Sequence, residues 1–368
     1  MKIVCSKANL LSGINIVLKA VPAKTTMTIL ECVMINAEDD ITIQGNDMEL
    51  AIETQVDGEV IEEGTIAINA KIFSEIIRKL PDSDVTIETD SSLNTHITCE
   101  KTNFNIPARE ADEFPALPYV QTDNKITLSE LTLKDVIRQT VFSISDNENN
   151  IIMTGELFDI NGDKLRVVAL DGHRIAIRNV ELRENFGTNK VIVPGKALSE
   201  IIKILNGENS SDVNIYFSDK NIMFELENTR ILSRIIEGEY YKIDQMISND
   251  FETHLVVNKQ QLFNSIDRAM PLVKETDKKP IIIGIDDENM SLKMNTQIGK
   301  YEESISVSKD GKDILIGFNP KFIMDVLKNI DDEEIDVYLI NSKAPCFIKN
   351  KEETYIYLIL PVNISNER

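Results

Sequence analysis

Three ten-residue segments recur along this chain in one register: KIFSEIIRKL at 71–80, KALSEIIKIL at 196–205 and KFIMDVLKNI at 321–330. Lys71, Lys196 and Lys321 are spaced by 125 residues each time, and the same interval joins Glu75, Glu200 and Asp325, then Arg78, Lys203 and Lys328. A fixed interval of this length means that one supersecondary unit is used three times. In the first copy Ile72, Phe73, Ile76, Ile77 and Leu80 form an apolar face at helical spacing, leaving Lys71, Glu75 and Arg78 on the other face. A second, weaker series places a polar N-cap before apolar residues one turn apart: Ser6, Leu10, Ile14; Ser129, Leu133, Ile137; Asn258, Leu262, Ile266. The two series predict helices over 7–19, 71–80, 130–144, 196–205, 259–270 and 321–330. Alternating stretches between them, such as VTIETD, HITCEKTNFNI and DVNIYFSD, read as antiparallel strands. The expected fold class is α+β: three repeated domains, 1–122, 123–250 and 251–368, each with two helices covering one face of an antiparallel sheet.

The stretch ALDGHRIAI at 169–177 sets Asp171-Gly172 between two apolar runs, a strong signal for a tight hairpin. It falls 125 residues after GNDMELAI, matching Ala51 to Ala176 and Ile52 to Ile177, so the hairpin belongs to the repeated frame. On that alignment His173 and Arg174 replace Met48 and Glu49. A polar pair added to one copy of a shared frame points either to recognition or to plain solvation. Catalysis lacks partners for it.

No motif of enzyme chemistry stands out in the rest of the chain, and an enzyme would have to build its site from residues brought together only by folding. Three histidines stand apart, the cysteines Cys5, Cys32, Cys99 and Cys346 are scattered without metal-ligand spacing, and no HExxH, GxSxG, GxxxxGK[ST] or GxGxxG follows a strand. No cofactor or metal is expected. No apolar run is long enough to span a bilayer, and the start of the sequence lacks a signal-peptide pattern, so a soluble, cytoplasmic protein is expected. The net charge of −22, from 39 basic and 61 acidic residues, argues against nucleic acid if it is spread evenly. It is not. The six predicted helices carry 13 Lys/Arg and 6 Asp/Glu, leaving them at +7 and the remaining chain at −29. Helical i,i+4 pairs such as Lys71 with Glu75 are expected, but pairing does not explain that segregation. Six helices facing one way would form a mildly basic surface on an acidic body, suited to phosphate contacts that read no sequence.

These elements resemble the bacterial DNA polymerase III β-subunit family, the sliding clamps. The likeness covers the whole chain and rests on the DGHRIA hairpin, the three helical repeats, VPAKTTMTILECV at 21–33, READEFPALP at 109–118 and YLILPV at 357–362, in this order. The resemblance implies a non-catalytic homodimer, joined head to tail into a ring whose helices line a channel around double-stranded DNA. It implies a processivity role, with DNA polymerase III α subunit, the clamp loader, and other polymerases and repair proteins docking through a short clamp-binding peptide.

Carried over by position, the peptide pocket would comprise Met153, Leu170, Gly172, His173, Arg174, Ile175, Tyr241, Met246, Asn319, Phe322, Leu358, Leu360, Pro361 and Val362, with His173 and Arg174 at its rim. Lys24, Asn147, Lys196 and Lys203 would contact the DNA backbone. Phe104 and Ile106 on the edge strand TNFNIP, with Lys101, would meet Leu272, Glu302 and Glu303 of the other copy, Lys101 opposite one of the two glutamates; Phe104 could instead be core of the first domain. Leu170, Tyr241, Gln245 and Asn363 stand where threonine, proline, arginine and a basic residue are frequent, and SNER extends the end, so the preferred peptide is expected to differ. Two other classes stay open from the residues alone: an enzyme or small-ligand binder using a pocket between repeats, and an acidic protein scaffold that never encloses DNA.

Overall fold

The computed structural model describes residues 1–122, 125–207, 211–274 and 279–364, so the terminal SNER lies outside the described residues. Six α-helices lie among them: α1 (Lys7–Val17), α2 (Ala70–Lys79), α3 (Glu130–Thr140), α4 (Gly195–Ile201), α5 (Lys259–Ala269) and α6 (Pro320–Asn329). α2, α4 and α6 begin 125 residues apart, as the repeat requires. All three N-caps of the weaker series hold: Ser6 Oγ accepts from Asn9 N–H at 3.2 Å, Ser129 Oγ from Thr132 N–H at 3.1 Å, and Asn258 Oδ1 from Gln261 N–H at 2.9 Å.

The chain folds into two compact units, Met1–Leu133 with Ala197–Ile235, and Lys134–Lys196 with Ile236–Arg368. The first unit holds a 13-stranded sheet, antiparallel throughout its pairings, in which the strand Thr229–Arg234 of the second repeat pairs with Leu50–Val56 of the first, Leu232 opposite Ala51. α1 buries Leu10, Gly13, Ile14 and Val17, and α2 buries Ala70, Phe73, Ile76 and Ile77. The second unit holds a nine-stranded and a four-stranded sheet. In the larger one Arg174–Glu181 pairs with Tyr355–Ile359, Ile175 opposite Leu358, so second and third repeats share a continuous ladder. α5 and α6 pack Leu262, Ile266, Ile323 and Leu327 into one core with strand residues such as Leu255, Ile283 and Val337. The second repeat thus gives one sheet to each unit, which is why compactness cuts through it.

Several local expectations change. The predicted helices over 7–19 and 130–144 end at Val17 and Thr140, each continuing as a 3₁₀ turn (Leu18–Ala20 and Val141–Ser143). Thr140 Oγ1 donates back to Val136 O at 2.7 Å, a hydroxyl bond that competes with the backbone ladder where the regular helix gives way. The 196–205 helix stops at Ile201, and the following turns bring Leu205 into the core beside it, leaving Lys203 beyond the helix. Ile72 is half exposed, because Ala70 together with Phe73, Ile76 and Ile77 completes the buried stripe and puts Ile72 on its flank. HITCEKTNFNI breaks into two strands, Asn94–Cys99 and Thr102–Arg109, around Glu100 at φ 50°.

The hairpin register also differs from that of the helices. Asp47 N–H bonds Leu50 O, and Asp171 N–H bonds Arg174 O, an interval of 124 rather than 125 residues. Met48 and Gly172, also 124 apart, share the left-handed region at φ 76° and 86°. The extra residue of the second copy falls in the connection between hairpin and helix, where insertions are tolerated. His173 and Arg174 therefore correspond to Glu49 and Leu50, and not to Met48 and Glu49. In the third copy Thr296 N–H bonds Gly299 O, so the arginine position holds leucine, arginine and glycine in turn.

Candidate functional site

The Asp171 hairpin is organised by one carboxylate. Asp171 Oδ1 accepts from His173 N–H at 2.9 Å and Arg174 N–H at 3.1 Å, and Oδ2 accepts from Arg174 Nε at 3.0 Å. Gly172 supplies the positive φ at the tip, where an added Cβ would meet nothing within 4 Å, so the glycine answers a backbone demand rather than a steric one. Arg174 is not a rim residue as expected: it is 7 % exposed. Its Nη1 donates to Asp325 Oδ2 of α6 at 2.6 Å and its Nη2 to Phe142 O at 2.5 Å. The guanidinium lies 4.5 Å from the Phe322 ring centroid and 5.5 Å from that of Phe142. Burial is offset because each of the three nitrogens donates to an oxygen and two aromatic rings lie against the group. His173 keeps the outer place, with its ring stacked on Phe322 at 6.0 Å.

Around this anchor the remaining pocket residues come into one neighbourhood within the second unit. Leu170, Ile175 and Leu358 belong to one buried cluster with Ile243 and Phe347, and Met153 packs against it. Leu360 N–H donates to His173 O at 2.9 Å, which carries the chain end along the hairpin, and Val362 N–H donates to Gly317 O at 2.8 Å. Leu360, Val362, Met246 and Tyr241 are exposed apolar groups beside this buried floor, with Pro361 between the first two. The Tyr241 hydroxyl accepts from Asn150 Nδ2 at 2.7 Å, and its ring meets Tyr240 edge-on at 6.2 Å. Asn319 caps α6, its Oδ1 accepting from Lys321 N–H at 3.1 Å. Phe142, Asn150 and Ile243 also build this site, and nothing in the sequence marked them for it. Asp325 was not expected here either, although it carried a signal as the third member of the repeated acidic series.

Glu156, on the strand Gly155–Asn161, is wholly buried. Its Oε2 lies 2.9 Å from Thr140 Oγ1, its Oε1 has no partner, and burial pushes its carboxyl up to about 8, so it is neutral at pH 7. The four cysteines are also buried, and burial raises their thiols, that of Cys346 to about 12, which removes them as nucleophiles. Among the described residues no group of three His, Cys, Asp or Glu is placed to hold a metal, and no helix is long and apolar enough to cross a membrane.

Lys24, Asn147, Lys196 and Lys203 are all exposed. Lys24 and Asn147 lie on turns that follow the equivalent 3₁₀ turns Leu18–Ala20 and Val141–Ser143. Lys196 projects from the first turn of α4, and Lys203 Nζ donates to Glu200 Oε1 at 2.6 Å, an i,i+3 pair that commits this oxygen to Lys203. Lys71 and Glu75 do not pair, and Asp325 serves Arg174 instead of Lys321.

Among the sheet edges of the described residues, two bear on the expected head-to-tail contact. Thr102–Arg109 pairs fully with Asn94–Cys99 but touches Gly64–Asn69 only at Ala108 and Arg109, leaving residues 102–107 uncovered on one side. Phe104 is exposed and Ile106 half-buried, so neither is core of the first domain; Lys101 is exposed beside them. In the second unit, Lys300–Ser306 is the outer strand of the four-stranded sheet. Leu272 packs partly against its core. Glu303 is held by Arg268 at 2.5 Å and by the Tyr301 hydroxyl, which depress its carboxyl to about 2, and Glu302 pairs with Lys293 at 2.7 Å. Both glutamates therefore have a basic partner within their own chain, Glu303 part-buried and Glu302 exposed.

Known proteins match the chain along nearly its whole length. Residues 1–118, 127–242 and 244–363 match the family models for the N-terminal, central and C-terminal domains of the DNA polymerase III beta subunit. The chain is 33 % identical over 364 residues to a beta sliding clamp of Staphylococcus epidermidis, covering 96 % of each. A crystal structure from Eubacterium rectale, assigned as a DNA polymerase III beta subunit, is 59 % identical with a TM-score of 0.95 over 99 % of this chain and 100 % of that one. The DNA polymerase sliding clamp of Bacillus subtilis is 32 % identical with a TM-score of 0.95, over 99 % of both chains.

Proposed function

The chain belongs to the bacterial DNA polymerase III β-subunit family of sliding clamps, and from that membership we propose how its own residues close a ring, hold DNA and receive partners. It is a DNA sliding clamp for the replicative polymerase, a non-catalytic subunit whose general role is processivity. Two copies join head to tail through the open edge 102–107 of one and the outer strand Lys300–Ser306 of the other. The observation that carries this reading is that each edge is unpaired along its length yet flanked by apolar side chains, Phe104 and Ile106 on one and Leu272 beside the other. The domains run 1–122, 123–250 and 251–368. The helices line the channel, where Lys24, Asn147, Lys196 and Lys203 touch phosphates without reading bases. The site around the Asp171 hairpin receives a short peptide from the polymerase α subunit, the clamp loader and repair proteins. Work on DNA in a bacterium is work in the cytoplasm.

An acidic body with a weakly basic lining should bind linear duplex feebly, with few phosphate contacts and a shallow salt dependence. Retention comes from enclosure. Protein loaded by its clamp loader and ATP onto nicked circular DNA should stay bound through gel filtration in moderate salt and be lost after one restriction cut. Retention on the cut DNA, or tight sequence-selective binding to linear duplex, would remove the ring from consideration.

Closure has its own test. Ile106→Asp places a carboxylate at each of two identical contacts, where burial without a partner is unfavourable, and should convert the dimer into folded monomers at micromolar concentration. Light scattering that still finds a dimer there excludes the 102–107 edge. Deleting residues from Leu360 onward removes the hairpin's neighbour and should weaken binding of a polymerase C-terminal peptide by at least about tenfold (roughly 1.4 kcal/mol) while leaving the dimer. An unchanged affinity would move the peptide elsewhere.

A further inference from the structure

The frame that carries the partner site is built a second time, wholly inside the first unit. Asp47 Oδ1 accepts from Glu49 and Leu50 N–H at 3.0 and 2.6 Å, as Asp171 does from His173 and Arg174. Arg234 N–H donates to Glu49 O at 2.9 Å, just as Leu360 N–H donates to His173 O, and Leu232 pairs with Ala51 where Leu358 pairs with Ile175. A cavity of about 120 Å³ opens at this place, lined among others by Met48, Leu232, Pro115 and Pro118. Gln44 Nε2 and Asn46 Nδ2 both donate to Pro115 O, at 3.2 and 3.4 Å, which fixes the proline wall. The cavity has room for a side chain, not for a drug-sized ligand, whose sites run to ~300–1,000 Å³.

The mouth differs from the later site in chemistry. Glu49 stands where His173 does, and Arg234 replaces Leu360. Arg234 is exposed, and its guanidinium has no carboxylate partner among the described residues, in a protein of net charge −22. A planar fork of donors left open in an acidic protein suits a carboxylate from outside. Met48 holds the left-handed backbone at φ 76°, where its counterpart is Gly172, and leaves its side chain 42 % exposed beside the cavity. A flexible thioether adapts to varied apolar groups.

We infer that this cavity, flanked by Met48, Leu232 and Arg234, binds an extended peptide in which an aliphatic residue adjoins an acidic one, the aliphatic group entering the cavity and the carboxylate meeting Arg234. The inference rests on reading the later hairpin as a peptide site, since it is the repeated frame that makes the ligand a peptide. The test uses the intact protein labelled at its methionine methyls and titrated with acetyl-Leu-Asp-Gly-amide, with the Leu-Asn-Gly and Leu-Lys-Gly peptides as controls. The Met48 methyl should move saturably with the Asp peptide and about three- to fivefold more weakly with the Asn peptide, the value of one exposed charge pair. It should stay still with the Lys peptide, and with the Asp peptide in Arg234→Glu. Met48→Gly suits the backbone and should melt no lower than the parent, yet weaken binding as followed on the peptide's own leucine methyls.

The methionines separate this site from the later one, because a polymerase peptide in the Asp171 site would move Met153 and Met246 instead. A Met48 response to the Asp peptide that survives deletion from Leu360 onward supports the second site even if the polymerase peptide fails to bind. No Met48 response up to about 10 mM, an equal response to all three peptides, or movement of Met153 and Met246 alone would each overturn it.

Discussion

Arg174→Ala should destabilise the chain by about 3–5 kcal/mol, the loss expected when one partner of a buried ionic cluster is removed. The guanidinium is shared among Asp171 Oδ2, Asp325 Oδ2 and Phe142 O and is enclosed by two aromatic rings, so truncation leaves two carboxylates facing one another's charge in a largely dry site. Urea unfolding of the variant beside the parent measures the difference. Asp325→Asn should be milder, since the amide oxygen still accepts from Nη1, and the double change should fall well short of the sum of the singles, because both act on one contact. A loss under about 1 kcal/mol for Arg174→Ala would show that the arginine is solvated decoration after all. Because Leu360 N–H hangs from His173 O in the same hairpin, the chain end at Leu360 should loosen with it.

Glu156→Gln should remove a pH dependence of stability and leave the protein more stable than the parent in alkaline buffer. Burial raises the native carboxyl from 4.5 to about 8, so between those values the folded chain keeps a proton that the unfolded chain has released. The stability linked to this proton is fully present below pH ~4.5 and is lost progressively up to pH ~8, at a slope of about 1.4 kcal/mol per pH unit for this single group. Glutamine keeps the neutral shape and the neighbour Thr140 Oγ1, and titrates nowhere. Thermal melts at pH 5, 6.5 and 8 should therefore converge on a flatter line for the variant. Parallel lines for variant and parent would mean that Glu156 is hydrated and ionised in the folded protein.

The helical repeat was legible because its signal is periodic and long. Lys71, Lys196 and Lys321 fall at the starts of α2, α4 and α6, and the caps at Ser6, Ser129 and Asn258 all form. The hairpin at Asp171 was legible as a turn, since Asp-Gly is a local signal. Its function was not. The sequence could not say that Arg174 is buried, because the residues that bury it, Phe142 and Asp325, lie 32 and 151 positions away. The same limit shifted the hairpin alignment by one residue: apolar identity at Ala51 and Ala176 mimics register, whereas the hydrogen bonds of Asp47 and Asp171 define it.

By itself, then, the sequence determined a thrice-used α+β unit, its helix starts, its antiparallel strands and the sign of its charge segregation, all consequences of patterns read within a few turns or along a constant interval. Only the tertiary structure decided which strands the repeats exchange, with Thr229–Arg234 joined to Leu50–Val56 and Tyr355–Ile359 to Arg174–Glu181. It also decided that Phe104 and Ile106 stay outside the core on an open edge, that Glu303 is spent on Arg268, and that Glu156 sits buried and neutral against Thr140. These outcomes depend on which surfaces lose water together, and a side chain's desolvation and partners are set by neighbours distant in the chain, which no local pattern encodes.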